Sequence, residues 1–253
     1  MPSKGFDRPY TLLTSLSTWT ADRFGWSDPA VEEDFVRIYE KCRKFTGTSW
    51  ERMYSLYKSV HYVLEAAIPG DIVECGVWRG GSVMLIAHTL LAAGKTDRRL
   101  FLFDTFEGMS APTPADMDSV SRTPAEIRWR AESQKKENTW AAASFAEVAA
   151  NVLATGYPRE RVVMVKGKVE ETIPSHAPER IALLRLDTDW YESTKHELLH
   201  LYPRLASGGV LLLDDYGHWL GARKAVDEYF AANPPPILLN RIDYTGRVGV
   251  KSR

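Results

Sequence analysis

The chain has 253 residues, 44% of them hydrophobic, which is enough for a sizeable core in a single domain. Its 32 basic and 33 acidic residues leave a formal net charge of -1, so no overall field draws it to nucleic acid or to an anionic membrane. Cys42 and Cys75 are too few for a disulfide framework, no apolar run has the length of a membrane span, and "MPSKGFDRPYTLL" lacks a signal-peptide core. These features predict a cytoplasmic protein that works on a small molecule.

In chain order, Ser27-Asp28-Pro29 pairs a capping side chain with a proline at the first helical position, ahead of "AVEEDFVRIYEKCRKF". Thr48 and Glu51 have capping-box spacing before a second helix, "MYSLYKSVHYVLEAAI". Residues 1–69 therefore read as an N-terminal helical segment and lid, packed on a core of residues 70–253. In that core the apolar runs "DIVECGV", "RLFLFDTF", "RVVMVKG", "IALLRLD", "GGVLLLDDY" and "PILLNRID" alternate with helical patterns. Such alternation predicts an α/β fold with a parallel sheet covered on both faces. At the C terminus, Thr245-Gly246 turns "RIDYTGRVGVK" back on itself, giving a seventh strand in an antiparallel hairpin. Residues 110–143 interrupt the rhythm with a Pro-, Ser- and Asp-rich half and a charged, Trp-containing half. A loop of that length beside a ligand edge reads as a lid over the substrate.

Where the first strand meets a helix, "VECGVWRGGS" supplies Gly76, Gly80 and Gly81 for tight turning, with free helix amides beyond. Trp78 stands where a dinucleotide fingerprint needs a glycine, which opposes hydride-transfer cofactors. A nucleoside without a diphosphate fits better, and Glu74 could accept bonds from a cationic amino-acid group on it. The plainer alternative is a turn of glycines with no ligand. Asp104 ends the second strand, where an acid can take ribose hydroxyls or simply brace a turn.

Asp187 and Asp189 end one strand, and Asp214 and Asp215 end the next. Parallel strands bring these four carboxylates to one edge, and such a group calls for a hard cation of the magnesium type. The alternative is helix capping by Asp189 and Asp215, with Arg185 as an ion-pair partner.

The blocks "GDIVECGVWRGGS", "FDTFEGM", "VKGKVEETIP", "LRLDTDWYESTKHELLHLYPRLASGGVLLLDDYGHW" and "GARKAVDEYF" resemble the macrocin O-methyltransferase family over nearly the whole chain. The resemblance implies a class I, Rossmann-like methyltransferase fold: a mostly parallel seven-stranded sheet with a C-terminal antiparallel hairpin, N-terminal helices and a lid insertion. It also implies S-adenosylmethionine and Mg2+ as cofactors, and a sugar hydroxyl of an antibiotic as acceptor. By position it assigns Glu74, Cys75, Gly76, Gly80, Gly81, Ser82, Asp104, Thr105 and Phe106 to the cofactor, and Asp187, Asp214 and Asp215 to the metal. Asp189 falls on the proposed base, with His218 as the competing residue. The partner expected is a hydroxylated, glycosylated small molecule, and self-association into a homo-oligomer stays open. A catechol acceptor is the alternative reading, followed by a nucleoside-binding module without catalysis.

Overall fold

The structure is a computed structural model that describes residues 31–134 and 140–252. The cap expected at Ser27-Asp28-Pro29 and the N-terminal block "RPYTLLTSLSTW" lie outside the described residues.

Helices α1 (Glu33–Cys42) and α2 (Trp50–Glu65) precede the sheet. The cap of α2 is shifted by one residue from expectation: Ser49, not Thr48, accepts the Arg52 amide, at 3.2 Å. Thr48 is engaged elsewhere, because its Oγ1 accepts from Nη2 of the buried Arg185 at 2.9 Å. A buried guanidinium needs its donors satisfied more than an exposed helix end does.

The strands are β1 (Asp71–Cys75), β2 (Leu100–Asp104), β3 (Val162–Lys166), β4 (Ile181–Leu186), β5 (Leu205–Leu213), β6 (Asn240–Arg241) and β7 (Arg247–Val250). They form one sheet in the order β3-β2-β1-β4-β5-β7-β6. The first five run parallel, and β7 is antiparallel to both β5 and β6. The expected sixth strand shrinks to Asn240–Arg241, because Pro234, Pro235 and Pro236 bring no backbone donors to a ladder.

Helices α3 (Gly81–Ala92), α5 (Phe145–Leu153), α6 (Val169–Thr172), α7 (Tyr191–Leu201) and α8 (Leu220–Ala232) make the crossovers and the approach to the hairpin, and α4 (Ala125–Ser133) lies in the insertion. Side chains alternate across the sheet. Ile72, Leu102, Leu183 and Leu212 pack with Met53 and Leu56 of α2 and Leu85 of α3. Val73, Phe103, Leu184 and Leu211 pack with Leu198 of α7 and Val226 of α8. The N-terminal helices therefore share a core with the strands. Among the described residues no helix is long and apolar enough to cross a membrane.

The insertion is not a free flap along its whole length. Asp116 is fully buried; its carboxylate accepts the Thr113 amide at 2.6 Å and hydroxyl at 2.8 Å, and the Tyr191 amide of α7 at 2.7 Å. The Leu220 amide of α8 donates to Met117 O at 2.9 Å and Ser119 N donates to His218 O at 2.8 Å, which ties residues 116–119 to the segment entering α8.

Candidate active site

A cavity of about 490 Å³ opens at the carboxyl ends of β1, β2, β4 and β5, where the strand order reverses. Crevices at such switch points are where open α/β sheets bind ligands. Its walls include Glu74, Gly76, Trp78, Gly81, Ser82, Asp104 and Thr105 from the first two strand ends, and Asp187, Asp189 and Asp214 from the next two.

Two glycines let the backbone close tightly here. Gly76 has φ +80°, and a Cβ on it would lie 1.9 Å from Asp187 O. At Gly81 a Cβ would meet the backbone of Phe45 at 2.6 Å, so the segment between α1 and α2 reaches the cavity as a wall.

Glu74 lies opposite Arg185 in the β1–β4 register. Oε1 accepts from Arg185 Nη1 at 2.5 Å, while Oε2 is buried with no hydrogen-bond partner. Burial pushes the Glu74 carboxyl up to about 7 against the pull of Arg185. An unpaired buried acceptor in a cavity wall matches an incoming cation.

Asp104 is turned toward the glycine loop. Its Oδ2 accepts the amides of Val77 and Trp78 at 2.6 and 3.1 Å, and its Oδ1 accepts the amide of Phe106 at 2.7 Å. It braces the loop and lines the cavity at once.

Three residues assigned to the cofactor do not line the cavity. Cys75 follows Glu74 on the strand and so projects to the opposite face, fully buried, where burial holds its thiol well above its usual range beside Glu197. Gly80 caps α3, and a Cβ on it would meet Val152 of α5. Phe106 turns into the core and packs edge-on against Phe145, with ring centroids 5.1 Å apart.

Asp187, Asp214 and Asp215 each offer an oxygen, and these atoms lie within 4.8 Å of one another. Arg185 joins the group from below: Nη1 is 2.8 Å from Asp187 Oδ2 and Nη2 is 2.6 Å from Asp214 Oδ1. Arg52 of α2 pairs with Asp214 Oδ2. The capping alternative is met only in part: Arg185 pairs with Asp187 and Asp214, but α7 and α8 start after Trp190 and Trp219 with no side-chain cap from Asp189 or Asp215.

Charge nevertheless remains in excess. Burial, with repulsion from Asp214 and Asp215, raises the Asp187 carboxyl well above the usual carboxylate range despite Arg185. Asp215 is raised likewise by burial and by Asp189 and Asp214. Carboxylates that repel in this way suit a hard divalent cation, which takes oxygen ligands.

Asp189 has φ +68°, uncommon for a residue other than glycine. Its amide donates to Asp215 Oδ2 at 3.2 Å and its Oδ1 accepts from Trp219 Nε1 at 2.7 Å. Burial and then Asp187 raise its carboxyl to about 7, against the hydrogen bonds from Asp215 and Trp219. His218 is placed differently. It does not line the cavity; its Nδ1 is 3.1 Å from Tyr244 Oη and its Nε2 is 3.7 Å from Asp118 Oδ2. The structure therefore leaves Asp189 as the base candidate in the wall.

Sequence reasoning missed Arg52, Thr48 and the wall from Gly167 to Glu170, whereas Arg128, Trp140 and Ala141 fall in the insertion expected to cover the substrate. The first two lie on α2 and its approach, remote in sequence from every strand end. The third follows β3, whose end carries a glycine that could have marked it.

The sequence profile of the macrocin-O-methyltransferase (TylF) family matches residues 31–249. The chain belongs to that family. It is accordingly a methyltransferase, and its fold is the class I, Rossmann-like one. It is 37% identical, over 79% of this chain and 73% of the relative, to a Streptomyces olivaceus 4'-O-methyltransferase named for a dimethoxyrhamnosyl tetracenomycin C. The mycinamicin III 3''-O-methyltransferase of Micromonospora griseorubida is 34% identical, over 73% of this chain and 69% of that one. The structure of the O-methyltransferase NovP superposes with a TM-score of 0.72 at 30% identity, covering 97% of this chain and all of that one.

Proposed function

We propose that this enzyme transfers a methyl group from S-adenosylmethionine to a hydroxyl on a sugar of a natural product, with Mg2+ held by Asp187, Asp214 and Asp215. The observation that carries the reading is two unmet demands at one cavity: an unpartnered buried oxygen on Glu74, and an acid group, of which Asp187 and Asp214 line the cavity and Asp215 does not, with more charge than Arg185 and Arg52 balance. The names of the relatives favour a sugar over a catechol.

When bound, S-adenosylmethionine supplies a methyl on a sulfonium and the divalent cation lowers the pKa of a hydroxyl beside it. The residues of the chain do the rest. Glu74 Oε2 would accept from the cofactor's ammonium group, and Asp104, which holds the loop of Val77 and Trp78, would keep that loop in place for the nucleoside. Asp189, oriented by Trp219 Nε1, would take the proton of the acceptor hydroxyl. Alignment and exclusion of water are the remaining tasks. Arg128, Trp140 and Ala141 of the insertion wall the cavity and would cover the acceptor.

Purified enzyme incubated with S-adenosylmethionine and matched panels of glycosides and catechols, with magnesium or with EDTA, tests the reading. Methylation of a sugar hydroxyl that EDTA abolishes is expected. Full activity in EDTA removes the metal from the reading, and turnover confined to catechols removes the sugar.

A further inference from the structure

Two arginines hold Asp214, and they are not equivalent. Arg185 is 3% exposed, sits on β4, and is shared among Glu74, Asp187, Asp214 and Thr48. It cannot leave without stranding several buried groups at once. Arg52 reaches Asp214 from the first turn of α2 by a single Nη1, and its Nε lies 3.0 Å from Asp243 Oδ2. Its stem is confined, since Cγ and Cδ lie against Gly246, where a Cβ would come within 2.8 Å of both. The guanidinium end lies between Asp214 on one side and Asp243 on the other.

Asp243 is built to receive it. Oδ1 is held by the amides of Thr245 and Gly246 at 2.9 and 2.6 Å, and Oδ2 accepts from Ser49 Oγ at 2.6 Å. The acceptor thus stays in place whichever way Arg52 turns.

A guanidinium hydrogen-bonded to Asp214 and a divalent ion on the same carboxylate would repel. We propose that Arg52 is an exchangeable internal cation of the metal site: it holds Asp214 while no divalent ion is bound, and yields it to the ion by moving wholly onto Asp243. This rests on the metal reading above. A unit charge about 5 Å from a divalent ion alters affinity by roughly tenfold even at a dielectric of about 80, and by far more at an effective value of about 20.

Manganese alone is the probe, titrated into the full-length enzyme and followed by the loss of its free electron paramagnetic resonance signal, with thermal melts to confirm that each variant is folded. Wild type, Arg52→Met, Arg52→Lys, Asp243→Asn and the Arg52→Met/Asp243→Asn double variant are compared, with Asp214→Asn as the site control. Arg52→Met is expected to bind manganese about tenfold or more tightly than wild type, and Arg52→Lys to fall between them. Asp243→Asn should weaken binding in wild type and have a much smaller effect in the Arg52→Met background, because Asp243 acts through Arg52.

Binding that Asp214→Asn abolishes but Arg52→Met leaves unchanged or weakens overturns the exchange while keeping the metal reading. Equal effects of Asp243→Asn in both backgrounds overturn the role of Asp243 as the alternative acceptor. No saturable binding by wild type or by Arg52→Met removes the metal reading and this proposal with it.

Discussion

Arg185 takes one oxygen of Glu74 and leaves the other bare: Oε1 is 2.5 Å from Nη1, and Oε2, equally buried, has no partner. A charge fixed on one side and open on the other is a directional acceptor, and Glu74 is one of the residues of the cavity wall.

Glu74→Gln should therefore weaken S-adenosylhomocysteine binding by about 1.5–3 kcal/mol, the range for a hydrogen bond to a charged group, while keeping an oxygen for Arg185. Because burial raises this carboxyl to about 7, wild-type affinity should fall as pH drops through about 7 and the carboxylate takes up a proton. Below about pH 7 the α-ammonium of the ligand stays charged, so the fall on that side reports Glu74. Calorimetry between pH 6 and 8 (roughly one unit on each side of about 7) checks both; a flat profile for wild type would separate Glu74 from the ammonium.

Asn at Asp187, Asp214 or Asp215 removes a charge from the group that holds the cation, and should raise the magnesium needed for activity, with partial recovery at high magnesium. Asp189→Asn should instead lower turnover by about 10²–10⁴-fold with no recovery. His218→Ala should retain most activity, since both ring nitrogens face Tyr244 and Asp118 and the side chain is outside the cavity wall. Initial rates across a magnesium titration separate these outcomes, and an Asp189→Asn enzyme restored by magnesium ends its assignment as base.

Asp116→Ala should loosen the insertion, because the part-buried Tyr191 and Thr113 amides lose their acceptor, at a cost of up to about 1–3 kcal/mol for each group left unsatisfied. Gly221→Ala should act on the same joint, since its Cβ would lie 1.9 Å from Asp116 Oδ1. Limited proteolysis is expected to cut both variants faster than wild type between residues 110 and 143; equal cutting rates would show that the joint does not hold the insertion.

Burial opposes the Asp243 charge, but Arg52, Ser49 and the Gly246 and Thr245 amides outweigh it and hold the carboxyl below its usual range. The folded pKa is thus lower than the unfolded value of about 3.9, so the stabilisation is complete above about pH 4 and is lost as pH falls through the folded pKa. Acid unfolding of Asp243→Asn should show a shallower loss of stability below about pH 4 than wild type, measured by circular dichroism. Parallel curves for the two proteins would contradict the assignment.

The parallel sheet and the terminal hairpin were readable because they rest on local pattern: four apolar residues before Asp214 and Asp215 mark a buried strand and its end together. The same logic brought Glu74, Asp104, Asp187, Asp189 and Asp214 to one edge, since parallel strands share their carboxyl ends. The assignment carried by resemblance failed at Cys75, whose neighbour Glu74 lines the cavity while a one-residue step turns Cys75 to the other face.

Only the tertiary structure decided which of the aligned residues point inward and what balances their charge. Arg52 lies on a helix, Asp243 in a hairpin turn and Asp214 at a strand end, and no periodicity connects them. What joins them is the pairwise satisfaction of buried charge, which depends on distances of about 3 Å, well below the spacing of a helix or strand repeat. Sequence pattern determines which elements form and which edge they share; the residual charge at that edge, and so the place left for a ligand, is set by contacts that exist only once the elements pack.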